Sequence, residues 1–279
     1  MTTARLAPRT ALFLPASNPR AIEKARGLSA DLVILDLEDA VKDADKATAR
    51  IAAVAAVAQG FGPRLAAIRL NGIESGEHLG DVAAVSASRA DFAVLPKAES
   101  AADVAQVARA LGKPLLAMIE TPLGVLAAAE IAAVPGVSGL IAGTNDLAAS
   151  LRLPPSSGRA QMGVALQTIV LAARASQVWA LDGVFNRLDD PEGLAAECGE
   201  GRALGYDGKS LIHPNQIEIA ARAFGPSEDE LAEARALIAA ATGGAERYEG
   251  RMIEAMHVDQ ARALLERAGD AADMADFGT

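Results

Sequence analysis

DLVILDLED (Asp31–Asp39) and RLAAIRLN (Arg64–Asn71) decide the fold. Each is an apolar run too short for a typical helix that ends abruptly in polar residues. The same design recurs on either side as ALFLPA (Ala11–Ala16), FAVLPKAE (Phe92–Glu99), PLLAMIET (Pro114–Thr121), VSGLIAGTNDL (Val137–Leu147), WALDGVF (Trp179–Phe185) and DGKSLIHP (Asp207–Pro214). Most of these runs precede an Ala-rich stretch of helical character, which predicts buried parallel strands joined by crossover helices. The eight units predict a (β/α)8 TIM barrel over residues 9–224, with its chemistry at the C-terminal ends of the strands. Glu38, Asp39, Asn71, Lys97, Glu120, Asp146 and His213 all fall at the ends of runs. Apolar pattern and polar ends thus point to one pocket, and to an enzyme.

Residues 225–279 are expected to form a C-terminal helical extension. Gly225-Pro226-Ser227 breaks the chain, and Ser227 with Glu230 fits a capping box. A helix to about Thr242 follows, then a Gly243-Gly244 hinge and a last helical segment over Gly250–Ala268. Near the start, Ser17-Asn18-Pro19 stops the first strand and begins a helix. Leu153–Gly158 (LPPSSG) is the strongest loop signal in the barrel and is expected on the pocket rim.

Hydrophobic residues make up 51% of the 279 residues and aromatics only 3%, so the core must be built from Ala, Val, Leu and Ile. Such side chains suit the packed layers of a barrel interior. A net charge of −10 argues against a nucleic-acid partner, which calls for a basic stripe. No apolar run is long enough to span a bilayer and no leader pattern opens the chain, so a soluble, cytoplasmic protein without membrane partners is expected. The single cysteine, Cys198, agrees with a reducing compartment and reads as a small core residue. Nucleotide signatures and a GxSxG elbow are absent.

Glu120 and Asp146 end successive strands, whose C-terminal ends lie close together in a barrel. Two carboxylates that leave coordination positions for water and substrate suit Mg²⁺. For each acid alone, helix capping is the plainer reading. Arg69 sits inside an apolar strand, and two readings stay open. Alternation can send it outward to meet an acid, or inward to the mouth, where a guanidinium suits a carboxylate. Lys97 reads as an ion-pair partner of Glu38 or Glu99 rather than a Schiff-base amine. Pro214 as a helix start accounts for His213, while His78 and His257 read as surface residues on helices.

At these residues a resemblance becomes specific. RTALFLPASNPRAIEKA, DLVILDLEDAVKDADKATAR, AIRLNG, AVLPKAESAADV, MIETPLGVLAAAEIA, GTNDLAASL, GYDGKSLIHPNQI and GRMIEAMHVDQARALL resemble the citrate lyase β-subunit family. That family lies within the HpcH/HpaI aldolase superfamily and includes malyl-CoA and citramalyl-CoA lyases. The resemblance implies a homotrimer or homohexamer and a Mg²⁺-dependent carbon–carbon lyase. Its substrate would be a 3-hydroxyacyl-CoA ester, cleaved to acyl-CoA and a 2-oxo acid. It implies Glu120 and Asp146 as metal ligands, and Arg69 and Glu120 as binders of the oxo acid. Phe13 and Lys24 would contact coenzyme A, and Asn18 stands where those lyases often carry Arg. Asp36 and Glu38 would organise the metal's waters and Arg69 from behind. A C-terminal Asp that reaches a neighbouring subunit's site is here Glu254, followed by Ala255 instead of Pro. The alternatives are a CoA-independent pyruvate-type aldolase and a non-autonomous citrate lyase subunit.

Overall fold

The computed structural model describes residues 6–155 and 157–269. Strands β1 (Thr10–Pro15), β2 (Leu32–Asp36), β3 (Leu65–Arg69), β4 (Phe92–Leu95), β5 (Leu115–Ile119), β6 (Val137–Ala142), β7 (Trp179–Asp182) and β8 (Gly208–Leu211) pair in chain order. All pairings are parallel, and β8 returns to β1 to close a (β/α)8 barrel. The intervening helices are α1 (Pro19–Ala25), α2 (Lys46–Gln59), α3 (His78–Ser86), α4 (Ala101–Leu111), α5 (Pro122–Leu126), α6 (Ala128–Ala132), α7 (Thr144–Ser150), α8 (Gly163–Ala175) and α9 (Pro191–Leu204). Local chemistry sets their starts. Asn18 accepts the Ala21 N–H at 3.1 Å with Pro19 at the first position of α1, and Asp190 accepts the Gly193 N–H at 2.8 Å at the start of α9.

Alternation along each strand explains both the core and the site. Successive strand side chains point to opposite faces, so every second residue faces the barrel axis. The interior cluster contains Leu32 and Ile34 of β2, Ala67 of β3, Phe92 and Val94 of β4, and Leu116 and Met118 of β5. Two residues further on in the same alternation stand Asp36 from β2, Arg69 from β3 and Glu120 after β5. The inward file of each strand therefore begins apolar and ends polar. With few aromatics available, Phe92 and Trp179 still form a tilted ring pair with centroids 5.1 Å apart.

One compact unit comprises Ala7–Ala221 and the other continues from Arg222, the boundary falling within α10 (Ile217–Phe224). In the second unit, α11 (Glu228–Ala240) opens with the Ser227/Glu230 capping box. The last helical segment expected within Gly250–Ala268 is α12 (Ala255–Ala268), and ahead of it stands a short antiparallel hairpin that the sequence reading did not include, β9 (Glu246–Tyr248) and β10 (Arg251–Ile253). Glu249 and Gly250 form its turn, both at positive φ (46° and 83°), the backbone hand that suits the strand twist of a two-residue hairpin. Strands of three residues show too little alternation to be visible in sequence. Ile253 packs with Leu231, Leu237, Ala261 and Leu265 in a small core of this unit. His78 is also a correction: it is 5% exposed, with Nδ1 at 2.9 Å from the Asn71 carbonyl, because α3 starts against the end of β3. Cys198 is buried as expected.

Barrel closure depends on a close backbone approach at Gly208. A β-carbon there would press on the Pro8 carbonyl oxygen and come within 2.7 Å of the Arg9 carbonyl oxygen, while the Lys209 N–H donates to Arg9 at 3.0 Å. Backbone cannot yield as a side chain can, so Gly208→Ala is expected to cost about 3 kcal/mol and lower the melting temperature by roughly 6–12 °C. Thermal unfolding followed by circular dichroism checks this; an unchanged midpoint would mean that the β8–β1 seam is plastic.

Candidate active site

A cavity of about 390 Å³ opens at the C-terminal ends of the strands, lined among others by Phe13, Asp36, Asp39, Arg69, Met118, Glu120 and Asp146. Arg69 is its centre. The side chain is 7% exposed and faces inward, which settles the two readings left by the sequence. Its Nε and Nη2 donate to the two oxygens of Asp36 at 2.7 and 2.5 Å, across strand neighbours whose Cα atoms are in register. This bidentate geometry is the strongest that the two groups can form. Nη1 lies 2.9 Å from Glu38 and 3.6 Å from Asp39, and the Phe13 ring sits 5.2 Å from the guanidinium carbon. The Nε–Nη2 fork is thus taken by Asp36, and Nη1, which also donates weakly to Met118 Sδ at 3.9 Å, is the corner that remains turned to the Glu38 side of the cavity. Burial alone would lower the Arg69 pKa; the Asp36 bonds and the charges of Glu38 and Asp39 outweigh it and raise it.

Glu38 is buried between two cations. Its Oε1 accepts from Lys97 Nζ at 3.1 Å. Its Oε2 is within ion-pair distance of Arg69, but the approach lacks hydrogen-bond geometry, so this buried oxygen accepts no bond. Burial raises the Glu38 pKa, Asp39 adds to the effect, and Arg69 and Lys97 oppose it. Lys97 pairs with Glu38 as the sequence suggested, and its ammonium also lies 3.8 Å from Asp146. Burial lowers the Lys97 pKa, but the charges of Glu38, Asp39 and Asp146 prevail and raise it. Lys97 holds φ at +50°, rare for a residue with a β-carbon, and its N–H donates to Glu120 Oε1 at 2.7 Å.

Glu120 follows β5 and is 3% exposed, whereas Asp146 sits half-buried in the first turn of α7. Burial pushes the Glu120 carboxyl up to about 7, with Glu38 and Asp146 adding to the shift against the Lys97 N–H and Arg69. Five carboxyl groups around Arg69 and Lys97 leave the mouth short of positive charge. A pair of acids in that setting has the chemistry to hold a hard divalent cation.

Residues singled out by sequence are not all brought here. Lys24 is exposed on α1 and is not among the residues lining the mouth cavity, whereas Phe13 is. Glu254 lies in the unit from Arg222 onward, exposed, at the start of α12, where its N–H donates to His257 Nδ1 at 3.0 Å. His213 begins a turn as its Pro214 suggested, with Nδ1 accepting the Asn215 N–H at 3.2 Å. Of the LPPSSG segment, Leu153, Pro154, Pro155, Ser157 and Gly158 line a neighbouring cavity rather than this one; the two share Thr144, Asn145 and Val184. Met118 and Gly143 had no role in the sequence reading, although Met118 lies on the inward file of β5 and Gly143 follows β6 in the same alternation as Ile141.

A parallel barrel with acids and a single arginine converging at its strand ends has the architecture of a barrel enzyme. The chain belongs to the HpcH/HpaI aldolase/citrate lyase family, whose model matches residues 9–214, and it is an enzyme of that citrate lyase β-like group of CoA-ester lyases. It is 44% identical over 271 residues to a (3S)-malyl-CoA thioesterase of Cereibacter sphaeroides, covering 93% of this chain and 94% of the relative. A citrate lyase subunit beta-like protein of Mycobacterium tuberculosis is 37% identical over 269 residues, covering 93% and 95%. Among solved structures, CitE from Mycobacterium tuberculosis in complex with magnesium, acetoacetate and coenzyme A superposes with a TM-score of 0.82. That pair is 35% identical and covers 96% of this chain and all of the other.

Two predictions come from Glu120. A β-carbon at Gly143 would collide with the Glu120 side chain, so Gly143→Ala is expected to abolish activity while the circular dichroism spectrum is retained. Undiminished turnover by that variant would show that Glu120 has room to spare. Because the folded pKa of Glu120 is raised, the group lowers stability as pH rises from its unfolded value near 4.5 to about 7, and the full penalty holds above that. In EDTA-treated protein, Glu120→Gln should therefore raise the melting temperature at pH 8, and the gain should vanish by pH 4.5. Equal effects at both pH values would place Glu120 in a solvated setting.

Proposed function

We propose that this chain is a Mg²⁺-dependent carbon–carbon lyase that cleaves a malyl-CoA or citramalyl-CoA type ester to acyl-CoA and a 2-oxo acid. The observation that carries this reading is the convergence of Glu120, Asp146 and Arg69 on one cavity at the strand ends. The likeness to a protein solved with magnesium, acetoacetate and coenzyme A supports it.

The residues present fit Mg²⁺. Among the described residues there is no cage of three or more His, Cys, Asp or Glu, but this ion is commonly held by one or two carboxylates with water and substrate completing its shell. Glu120 and Asp146 would hold it, and a divalent charge would offset the burial that chiefly raises the Glu120 pKa together with the smaller repulsion from Glu38 and Asp146. When bound, the ion supplies Lewis acidity to the oxygens of the hydroxy-acid end of the substrate. Arg69 offers its Nη1 corner to the same end, and the Asp36 fork fixes that corner in place. Glu38, whose unbonded Oε2 lies 2.9 Å from Arg69 Nη1, would organise the ion's waters and Arg69. Glu254, from a neighbouring subunit of a homotrimer or homohexamer, takes the hydroxyl proton as the carbon–carbon bond breaks. The electron pair of the broken bond passes to the thioester carbonyl as an enolate, and the proton taken up by Glu254 returns to that carbon to complete the acyl-CoA. Phe13 and Lys24 contact the coenzyme A portion. Residues 9–224 form the catalytic domain and residues 225–279 the arm that reaches the neighbour. No helix among the described residues is long and apolar enough to cross a membrane, and the enzyme acts in the cytoplasm.

A second reading, thioester hydrolysis, is favoured by the 44% identity to a protein named (3S)-malyl-CoA thioesterase. The same anchor would grip the hydroxy acid while water attacks the thioester. Products separate the two. Purified chain with (3S)-malyl-CoA and Mg²⁺ is expected to yield glyoxylate and acetyl-CoA; malate and free CoA would instead establish hydrolysis. EDTA should abolish turnover, and turnover without other subunits excludes a non-autonomous component. If Glu254 acts across subunits, Glu254→Gln and Asp146→Asn preparations should each be nearly inactive, and refolding them together should restore part of the activity. Mixtures as inactive as their parents would confine Glu254 to packing.

A further inference from the structure

Lys46 opens α2 with its side chain buried, yet no carboxylate among the described residues lies within ion-pair distance of its amine. An ammonium carries three donors, and all three are used: on the Leu37 carbonyl at 3.1 Å, on the Glu38 carbonyl at 3.1 Å, and on the Asn71 side-chain oxygen. Leu37 and Glu38 lie in the acidic segment after β2, and Asn71 lies two residues past Arg69. One buried amine therefore joins the two segments that deliver Glu38 and Arg69 to the mouth.

The acceptors are themselves held. The Asn71 N–H and Nδ2 donate to Asp81 Oδ2 at 2.8 and 2.7 Å, and Asp81 Oδ1 accepts from Arg50 Nε at 2.6 Å. Arg50 stands one helical turn after Lys46, so both bases share a face of α2. On the opposite edge of the acidic segment, Asp36 accepts the Glu38 N–H at 2.8 Å and the Ala40 N–H at 3.1 Å. The Glu38 backbone is thus bonded at its N–H by the partner of Arg69 and at its carbonyl by Lys46. That leaves the Glu38 side chain little freedom. Its Oε2 stays buried without a hydrogen bond, an arrangement that persists only where the surroundings impose it.

We infer that Lys46 is a positioning residue: it clamps the Glu38 backbone to Asn71 so that the Glu38 carboxylate is aimed at the site. The inference rests on the role proposed above for Glu38. Manganese titration followed by electron paramagnetic resonance, alongside kcat, tests it through a double-mutant cycle. Glu38→Gln and Lys46→Met are each expected to weaken Mn²⁺ binding about tenfold, as loss of an outer partner of a metal site does. Each should lower kcat with KM for the CoA ester within about twofold, since neither group supplies uniform substrate binding. The double variant should be no worse than about threefold beyond either single one, because groups acting through one another are non-additive. Lys46→Gln, which keeps N–H donors, should recover part of the loss; where Lys46→Met does not fold, it carries the cycle instead. Losses that multiply in the double variant, or wild-type behaviour of the Lys46 variants, would overturn the proposal. A Glu38→Gln enzyme with unchanged Mn²⁺ affinity and kcat would instead refute the role of Glu38 itself, a separate and recognisable failure.

Discussion

The bidentate bond between Arg69 and Asp36 is the interaction on which the rest of the mouth depends. It joins residues in register on adjacent strands, so the barrel backbone sets its geometry before any loop contributes. Once Asp36 has taken Nε and Nη2, the guanidinium can rotate little, and its remaining corner points to the cavity beside Glu38 and Asp39. Asp36 also receives two N–H groups of the segment after β2. The same carboxylate therefore shapes the loop and aims the arginine. A lysine in place of Arg69 would offer one rotatable point charge where two fixed bonds are needed.

Around that pair the mouth gathers more acid than the bases can balance. Holding a carboxylate away from water costs stability and nearby like charges add to the cost, and the upward shift of Glu120 reflects both, burial first. Such a cost makes sense where a divalent ion and a substrate supply the missing interactions, as active sites commonly hold charge that the empty fold does not need. The left-handed backbone of Lys97 belongs to the same account. A conformation that a side chain disfavours is kept because it turns one N–H toward Glu120 and one ammonium toward Glu38.

Much of this was legible in the sequence. The eight short apolar runs appear as eight barrel strands, and the polar ends of β2, β3 and β5 meet in one cavity. Alternation would also have resolved Arg69, because Leu65, Ala67 and Arg69 occupy one file; the sequence reading left both faces open. What sequence could not show is how the guanidinium is spent: a bidentate bond to Asp36 depends on strand register, which apolar pattern alone leaves unspecified. His78 escaped because a polar residue near a helix start reads as exposed until tertiary packing places the end of β3 against it. The β9–β10 hairpin escaped because three-residue strands carry almost no periodicity. Lys46 escaped for a related reason. Two of its three partners are backbone carbonyls, which leave no trace in residue identity.

The central claim is that Glu120 and Asp146 hold a divalent cation beside Arg69. Crystals grown with Mn²⁺ and a small 2-oxo acid, measured at a wavelength where manganese scatters anomalously, address it most directly. The account predicts one strong anomalous peak within bonding distance of both carboxylates, with the oxo acid completing the ion's shell and its carboxylate at the Nη1 corner of Arg69. An anomalous map with no peak there, or with manganese bound only at other acids, would contradict it.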